Sequence, residues 1–239
     1  MAAALLEVHR LVKRFGGFTA LNRVTLEVKA GERFGLIGPN GSGKTTLINC
    51  VSGSLHADDG RIVFEGRDIT ALPPHQRTRL GIARTFQIPK PFTSMTVREN
   101  LDIPLEYAGH ARSHGAGAEA AEILREIGLE AKANLRPAGL TQIEMRKLEL
   151  ARAMAARPKL LISDEAMAGL SSAEVDDILA ILFRLNGQGI TIIMIEHIMR
   201  AVMRFSERVV VLDAGERIAE GTPDEIVRNP AVEKAYLGD

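Results

Sequence analysis

The sequence predicts an α/β protein: a mostly parallel core sheet with an antiparallel β subdomain and a helical insertion. Three observations lead there. Short apolar runs alternate with segments of helical periodicity toward both ends of the chain, the pattern of strands joined by crossover helices. A glycine-rich stretch, Gly38-Pro39-Asn40-Gly41-Ser42-Gly43-Lys44-Thr45-Thr46, falls between one such run and a helical segment. From Thr96 to about Ala156 the strand pattern gives way to helical spacing.

Residues 6–15 read as a strand whose odd and even positions differ in polarity, Gly16-Gly17 turn the chain, and residues 24–28 alternate as a second strand. Residues 33–37 are a short buried strand before the glycine stretch, and Thr45-Thr46 open a helix after it. Asp59-Gly60 precede a turn-bounded strand over 61–66. Pro73-Pro74 open a short helix, and residues 81–87 follow as a strand with Gln87 at its far end, beside the breaker-rich Ile88-Pro89-Lys90-Pro91-Phe92. Position at a strand terminus next to a loop favours ligand contact.

Thr96-Val97-Arg98-Glu99 is a capping box that opens a helix. Residues 119–127 are helical and stopped by Gly128. Between these helices, residues 109–117 form a small polar hinge containing His110 and His114. Their spacing would suit a metal only on a helix, and the flanking glycines argue against one, so they read as exposed histidines. Thr141-Gln142-Ile143-Glu144 is a second capping box, opening a helix through Ala153. Residues 159–163 are a buried strand ending in Asp164-Glu165. Residues 173–185 are helical, Gly189 stops them, and residues 190–195 are a strand capped by Glu196-His197. Residues 208–213 and 216–220 form a hairpin around Ala214-Gly215. Thr222-Pro223-Asp224-Glu225 starts a short terminal helix with Pro at its first position.

The glycine stretch fits G-x-x-x-x-G-K-[ST] without a mismatch. A strand, a glycine loop and a helix start make an anion cradle, because backbone N–H groups converge and the helix dipole adds positive potential. The glycines admit close backbone approach to phosphate, Lys44 reaches the terminal phosphates, and the Thr45 hydroxyl is placed to ligate Mg²⁺. An ordinary glycine turn explains the glycines but not the Lys-Thr pair. The predicted organisation is a single domain over 1–239, with a nucleotide-binding core and β subdomain in 1–87 and 157–221. A helical subdomain occupies 88–156 and a helical tail 222–239.

Composition narrows the classes. The 239 residues are 46% hydrophobic and 25% charged, as in ordinary globular proteins. Thirty basic and thirty acidic side chains cancel, which removes the electrostatic case for nucleic acid or an anionic membrane. The single cysteine, Cys50, excludes an internal disulfide and suits a reducing compartment. No apolar run approaches the roughly 18 residues needed to span a bilayer, and the start of the chain lacks the basic region of a signal peptide. A cytoplasmic location is expected.

In sheets of this kind ligands sit at the C-terminal ends of the strands. Four candidates fall there independently: the glycine loop, Gln87, Asp164-Glu165 and His197. Asp164 would hold Mg²⁺ through water while Glu165 polarises the attacking water. His197 fits a γ-phosphate contact or a helix cap. Phe15, just ahead of a glycine turn, fits adenine stacking or a core aromatic at a strand end.

The order Phe15, Gly38 to Thr45, Gln87, a helix-opening segment at 140–146, Asp164-Glu165 and His197 resembles the ATPase subunit of an ABC transporter. Several stretches resemble the branched-chain amino-acid (high-affinity leucine-type) importer ATPase. They are Phe15-Gly16-Gly17, Gly81-Ile82-Ala83-Arg84-Thr85-Phe86-Gln87, Thr96-Val97-Arg98-Glu99-Asn100-Leu101, Ile195-Glu196-His197 and Ala235-Tyr236-Leu237-Gly238. The match covers essentially the whole chain. It implies ATP and Mg²⁺ as cofactors, Phe15 as the adenine-stacking aromatic and Glu165 with His197 as the hydrolytic pair. It implies Gln87 as the link from Mg²⁺ and water to a membrane-facing loop. Two ATPase subunits would close head to tail, with ATP between one chain's phosphate loop and the other's signature. Permease subunits would dock on residues 88–97 and hold the chain on the inner face of the membrane, with a solute-binding protein as an indirect partner and no nucleic acid.

The family's signature is Leu-Ser-Gly-Gly-Gln, whereas the aligned residues here are Leu140-Thr141-Gln142-Ile143-Glu144. Thr141 keeps a hydroxyl and the helix start still offers N–H groups, but both glycines are gone and Ile143 adds bulk where backbone should approach nucleotide. Ala166 replaces a proline and Ser171 an Asp or Asn of the usual pattern. These departures favour a heterodimer with unequal sites over a homodimer. The alternatives are a lipopolysaccharide-export ATPase and an ATP-gated dimerisation module with weak or no hydrolysis. A small-molecule kinase would need an arginine-rich lid, and DNA-repair members of the family carry insertions absent here.

Overall fold

A computed structural model describes residues 4–108 and 116–237. In chain order, β1 (Ala4–Phe15) and β2 (Phe18–Lys29) precede β3 (Arg33–Ile37) and α1 (Lys44–Ser52). Next come β4 (Asp59–Phe64), β5 (Arg67–Asp68), α2 (Pro74–Leu80) and β6 (Ile82–Arg84). Three helices follow, α3 (Glu99–Tyr107), α4 (Ala116–Ile127) and α5 (Gln142–Ala155). The chain then alternates through β7 (Leu160–Asp164), α6 (Ser172–Gly187), β8 (Thr191–Ile195) and α7 (Met199–Phe205). It ends in β9 (Arg208–Asp213), β10 (Glu216–Gly221), α8 (Pro223–Val227) and α9 (Pro230–Leu237).

The strands form two sheets. An antiparallel sheet runs β2-β1-β4-β5, and a six-stranded sheet runs β10-β9-β3-β8-β7-β6. Every pairing in the second is parallel except that of β9 with β10. Period-two alternation explains why its strands are apolar throughout. Phe34, Leu36, Ile162, Ile193 and Val210 face the antiparallel sheet and α1 in one core. Leu161, Ile192, Met194, Val209 and Val211 face a second core with Leu148, Ile178 and Leu182 of the helices. Because β3, β7 and β8 run parallel, the glycine loop, Asp164-Glu165 and His197 leave the sheet at one edge.

Several boundaries differ from the sequence expectation. The strand predicted over 81–87 stops at Arg84, so Gln87 lies three residues past its end. The Thr85 N–H still bonds the Ile162 carbonyl at 2.9 Å, but the Thr85 hydroxyl accepts the Asp164 N–H at 3.2 Å, in place of the next ladder bond. The first hairpin is tighter and longer, with Phe15 paired to Phe18. Helix α4 begins at Ala116, which puts Gly117 inside a helix rather than a hinge; His110 and His114 lie outside the described residues. Helix α7 was not anticipated, and the helical tail expected over 222–239 is two helices, α8 and α9. Among the described residues, no helix is long and apolar enough to cross a membrane.

Candidate active site

The glycine stretch leaves β3 as a tight loop that only glycine can build at two positions. Gly38 has φ +150°, and a Cβ there would lie 2.1 Å from the Leu212 carbonyl oxygen. Gly43, at φ +103°, caps the start of α1, with its missing Cβ 2.7 Å from the Ala20 carbonyl. Lys44 is buried as the first residue of α1 and folds back over the loop. Its ammonium donates to the carbonyls of Gly38 (2.7 Å) and Pro39 (3.0 Å). Burial holds the Lys44 ammonium below the ordinary lysine range, opposed by the negative charge of Glu165 and Asp164. Both features suit a cation whose better partner is an incoming anion.

A cavity of about 270 Å³ opens over this loop. Phe15, Asn40, Gly41, Ser42, Gly43, Lys44, Thr45, Thr46, Glu165 and His197 line it, together with Phe18 and Ala20, which the sequence did not single out. Gly38 and Pro39 do not line it and are tied to it through Lys44, whose ammonium donates to their carbonyls. Phe15 ends β1 with its ring 48% exposed, so it is not a core aromatic.

Glu165 is the hub of the polar arrangement. Its carboxylate meets His197 Nε2 at 2.8 Å on one oxygen and accepts from Gln87 Nε2 at 2.5 Å on the other. Gln87 reaches the carboxylate from outside the cavity lining. The Glu165 backbone is left-handed at φ +48°, a conformation that costs a non-glycine residue about 1–2 kcal/mol. Its N–H bonds the Ile195 carbonyl at 2.9 Å.

Asp164 is placed differently. It is buried and does not line the cavity, with Oδ2 accepting from Arg84 Nη2 at 2.6 Å, while Arg84 Nη1 donates to Asn49 Oδ1 at 2.6 Å. Sequence reasoning missed Arg84, and also Arg146, which donates to the carbonyls of Gln87 and of Ala168, the latter at 3.2 Å. It mentioned Glu196 only as a strand cap. That side chain is buried and accepts the Met167 N–H at 2.9 Å. Burial, reinforced by Glu165 and Asp164 and opposed by the Met167 N–H and Arg146, pushes its carboxyl up to about 7.

The segment 140–144 does not line this cavity. Thr141 caps α5, and Glu144 accepts the Thr141 N–H at 2.8 Å while pairing with Lys132 at 2.7 Å. Leu140 and Ile143 are half-buried against the helical core, so Ile143 turns much of its bulk inward. A larger groove of about 510 Å³ lies apart from the loop, between α2, α3 and α5, with Phe86, Phe92, Ile103, Pro104 and Tyr107 on its walls.

A phosphate cradle with a carboxylate–imidazole pair at its mouth, on the C-terminal edge of a parallel sheet, defines a nucleoside-triphosphatase of the P-loop class. Residues 21–168 match the family model described as ABC transporter, and residues 216–239 match the branched-chain amino acid ATP-binding cassette transporter model. The high-affinity branched-chain amino acid transport ATP-binding protein BraF of Pseudomonas aeruginosa is 39% identical, with all of both chains covered. The probable branched-chain amino acid transport ATP-binding protein LivG of Archaeoglobus fulgidus is 40% identical over 98% of this chain and 95% of that one. A nucleotide-free ATP-binding cassette from an ABC transporter superposes with a TM-score of 0.90 at 33% identity, covering 99% of this chain and 100% of that one. A dimeric bacterial ABC transporter cassette gives a TM-score of 0.82 at 27% identity over 91% and 98%. The chain belongs to the ABC transporter ATP-binding family and, within it, to the branched-chain amino acid transport ATPases. Neither alternative reading, lipopolysaccharide export or a non-hydrolysing module, gains support from these similarities.

Proposed function

We propose that the chain binds Mg-ATP on residues 38–46 and hydrolyses it with Glu165 as the group that polarises the attacking water, driving import of branched-chain amino acids. One observation carries this reading: the Glu165 carboxylate stands at the mouth of the phosphate cavity, held between Gln87 and His197. Backbone N–H groups of the loop and the start of α1 would bind the phosphates, Lys44 would exchange its carbonyl partners for phosphate oxygens, and Phe15 would stack on adenine. His197 would hold Glu165 in place and contact the γ-phosphate.

The Thr45 hydroxyl, the Gln87 amide oxygen and Asp164 through water are the hard oxygen donors that suit Mg²⁺. Among the described residues no group of three or more His, Cys, Asp or Glu could hold a metal ion. Bound there, Mg²⁺ would neutralise charge on the β- and γ-phosphates.

The dimeric cassette supports pairing of two such subunits, which would close head to tail, and the anionic Glu144 in the signature position favours a heterodimer with unequal sites. Permease subunits would dock a cytoplasmic helix in the apolar groove beside Phe92, placing the chain on the inner face of the membrane. That groove is wired to the site. Arg146 holds the Gln87 carbonyl, Glu149 accepts the Lys90 N–H at 2.8 Å, and Asn100 accepts the Phe92 N–H at 2.8 Å. A solute-binding protein would act on the far side of the permease.

Glu165→Gln in the assembled transporter tests the reading. Turnover should fall by roughly 10²–10⁴-fold with ATP affinity retained. Turnover within a factor of two of wild type refutes Glu165 as the base. Equal losses from Glu165→Gln and from the corresponding change in the second ATPase subunit would remove the asymmetry.

A further inference from the structure

Glu196 is a buried carboxyl that the mechanism above does not use. It follows the end of β8, is 2% exposed, and accepts the N–H of Met167, two residues beyond Glu165, at 2.9 Å. Ile195, its neighbour in β8, accepts the Glu165 N–H at 2.9 Å. The last residue of β8 and the one that follows it therefore grip the chain at 165 and 167, on either side of Ala166. Between the grips Glu165 holds its left-handed φ of +48°, a conformation that persists only where the surroundings over-determine it. Arg146 adds a third hold on this loop at the Ala168 carbonyl, 3.2 Å away.

The ordinary explanation, an acceptor for one buried N–H, needs no carboxyl. An amide or hydroxyl would serve without the desolvation penalty that a carboxyl meets beside Glu165 and Asp164. What the site requires is an acceptor at one point, because the peptide it holds sets the direction of the Glu165 side chain. We infer that Glu196 is a positioning residue for hydrolysis: by accepting the Met167 N–H it fixes the loop behind Glu165 and aims the Glu165 carboxylate. This rests on Glu165 being the residue that polarises water.

The test compares Glu196→Leu, Glu196→Asp and Glu196→Gln with Glu165→Gln in the assembled transporter. Glu165→Gln defines the part of the turnover that depends on this chain's site. Leu fills the volume without an acceptor, and Asp withdraws the acceptor by one methylene. Each should remove at least about 90% of that part, a tenfold or greater fall in kcat of the size expected when a catalytic group is displaced. The KM for ATP should stay within about twofold, because the phosphate loop is untouched. Gln restores an acceptor oxygen at full reach and should keep at least about half of the turnover. Should Leu fail to fold, Asp against Gln carries the same comparison. Full activity in Leu or Asp, equal losses in Asp and Gln, or a loss confined to KM overturns the inference. If Glu165→Gln itself leaves turnover unchanged, the reading of Glu165 fails instead.

Discussion

Replacing Glu196 by Gln should abolish a pH dependence of stability that this one carboxyl imposes. The folded protein holds the group at about 7 against an ordinary value of 4.5. A carboxyl raised on folding penalises the folded state only where it must ionise. Below about pH 4.5 both states are protonated and the penalty is absent; above about pH 7 both are ionised and it is complete. Stability from this group therefore falls as pH rises through that window. At about 1.36 kcal/mol per pH unit, the fall is about 3 kcal/mol. Burial raises the value first, with Glu165 and Asp164 adding to it, while the Met167 N–H and Arg146 lower it. An amide does not titrate, and any cost of burying its NH₂ is the same at both ends of the window. The difference between variant and wild-type unfolding free energies at pH 8 should thus exceed the difference at pH 4.5 by about 3 kcal/mol, or roughly 6–12 °C in Tm. Urea titrations of the nucleotide-free protein at the two pH values measure it. A difference that is constant to about 0.5 kcal/mol across the window refutes the assignment.

Gly38→Ala would drive a methyl to 2.1 Å from the Leu212 carbonyl and should destabilise the protein by about 3 kcal/mol, read as a fall in Tm without nucleotide. Phe15→Ala removes a half-exposed ring from the cavity wall. Titration calorimetry should show ATP binding weakened by about 1–3 kcal/mol, and an unchanged Kd would assign the ring elsewhere. Phe92→Asp puts a charge into the apolar groove, and solute uptake should fall at least about tenfold while ATP binding by the isolated chain stays within about twofold. Loss of both together would place Phe92 in the fold rather than at an interface.

The parts of the site legible in the sequence are those whose chemistry demands particular residues in a row. Phosphate needs contiguous N–H groups and glycines, so residues 38–46 announce themselves, and the parallel strands carry Glu165 and His197 to the same edge. The supports were not legible. Arg84 meets Asp164 across 80 positions, Arg146 meets Gln87 across 59, and Glu196 meets Met167 across 29. Their partners are backbone carbonyls, a backbone N–H and one carboxylate, none of which leaves a local pattern. Helix α7 was missed for a related reason. It is seven residues long, and the residue before it, Ile198, supplies no side-chain cap and directly follows the strand-capping His197. Capping residues gave the opposite result: Thr141–Glu144 and Thr222–Glu225 each open a helix as read, because the reciprocal bonds are a local feature.

That same local legibility changes the meaning of the signature segment. Read as a degraded nucleotide contact, residues 140–144 lose glycines and gain bulk. In the fold, Ile143 packs against the helical core, Gln142 stays exposed, and Glu144 adds a charge. Glu144 is held ionised, its carboxyl kept below the usual range by Lys132 and by the Thr141 N–H. An anion at the start of α5 favours the helix through its dipole, yet it occupies the end of the helix that would face a partner's γ-phosphate, where two negative charges would oppose each other. Lys132 offsets part of that field from 2.7 Å away. The proposed unequal-site arrangement would thus have an electrostatic origin: the charge that stabilises this helix within its own chain would weaken its attraction for nucleotide on another.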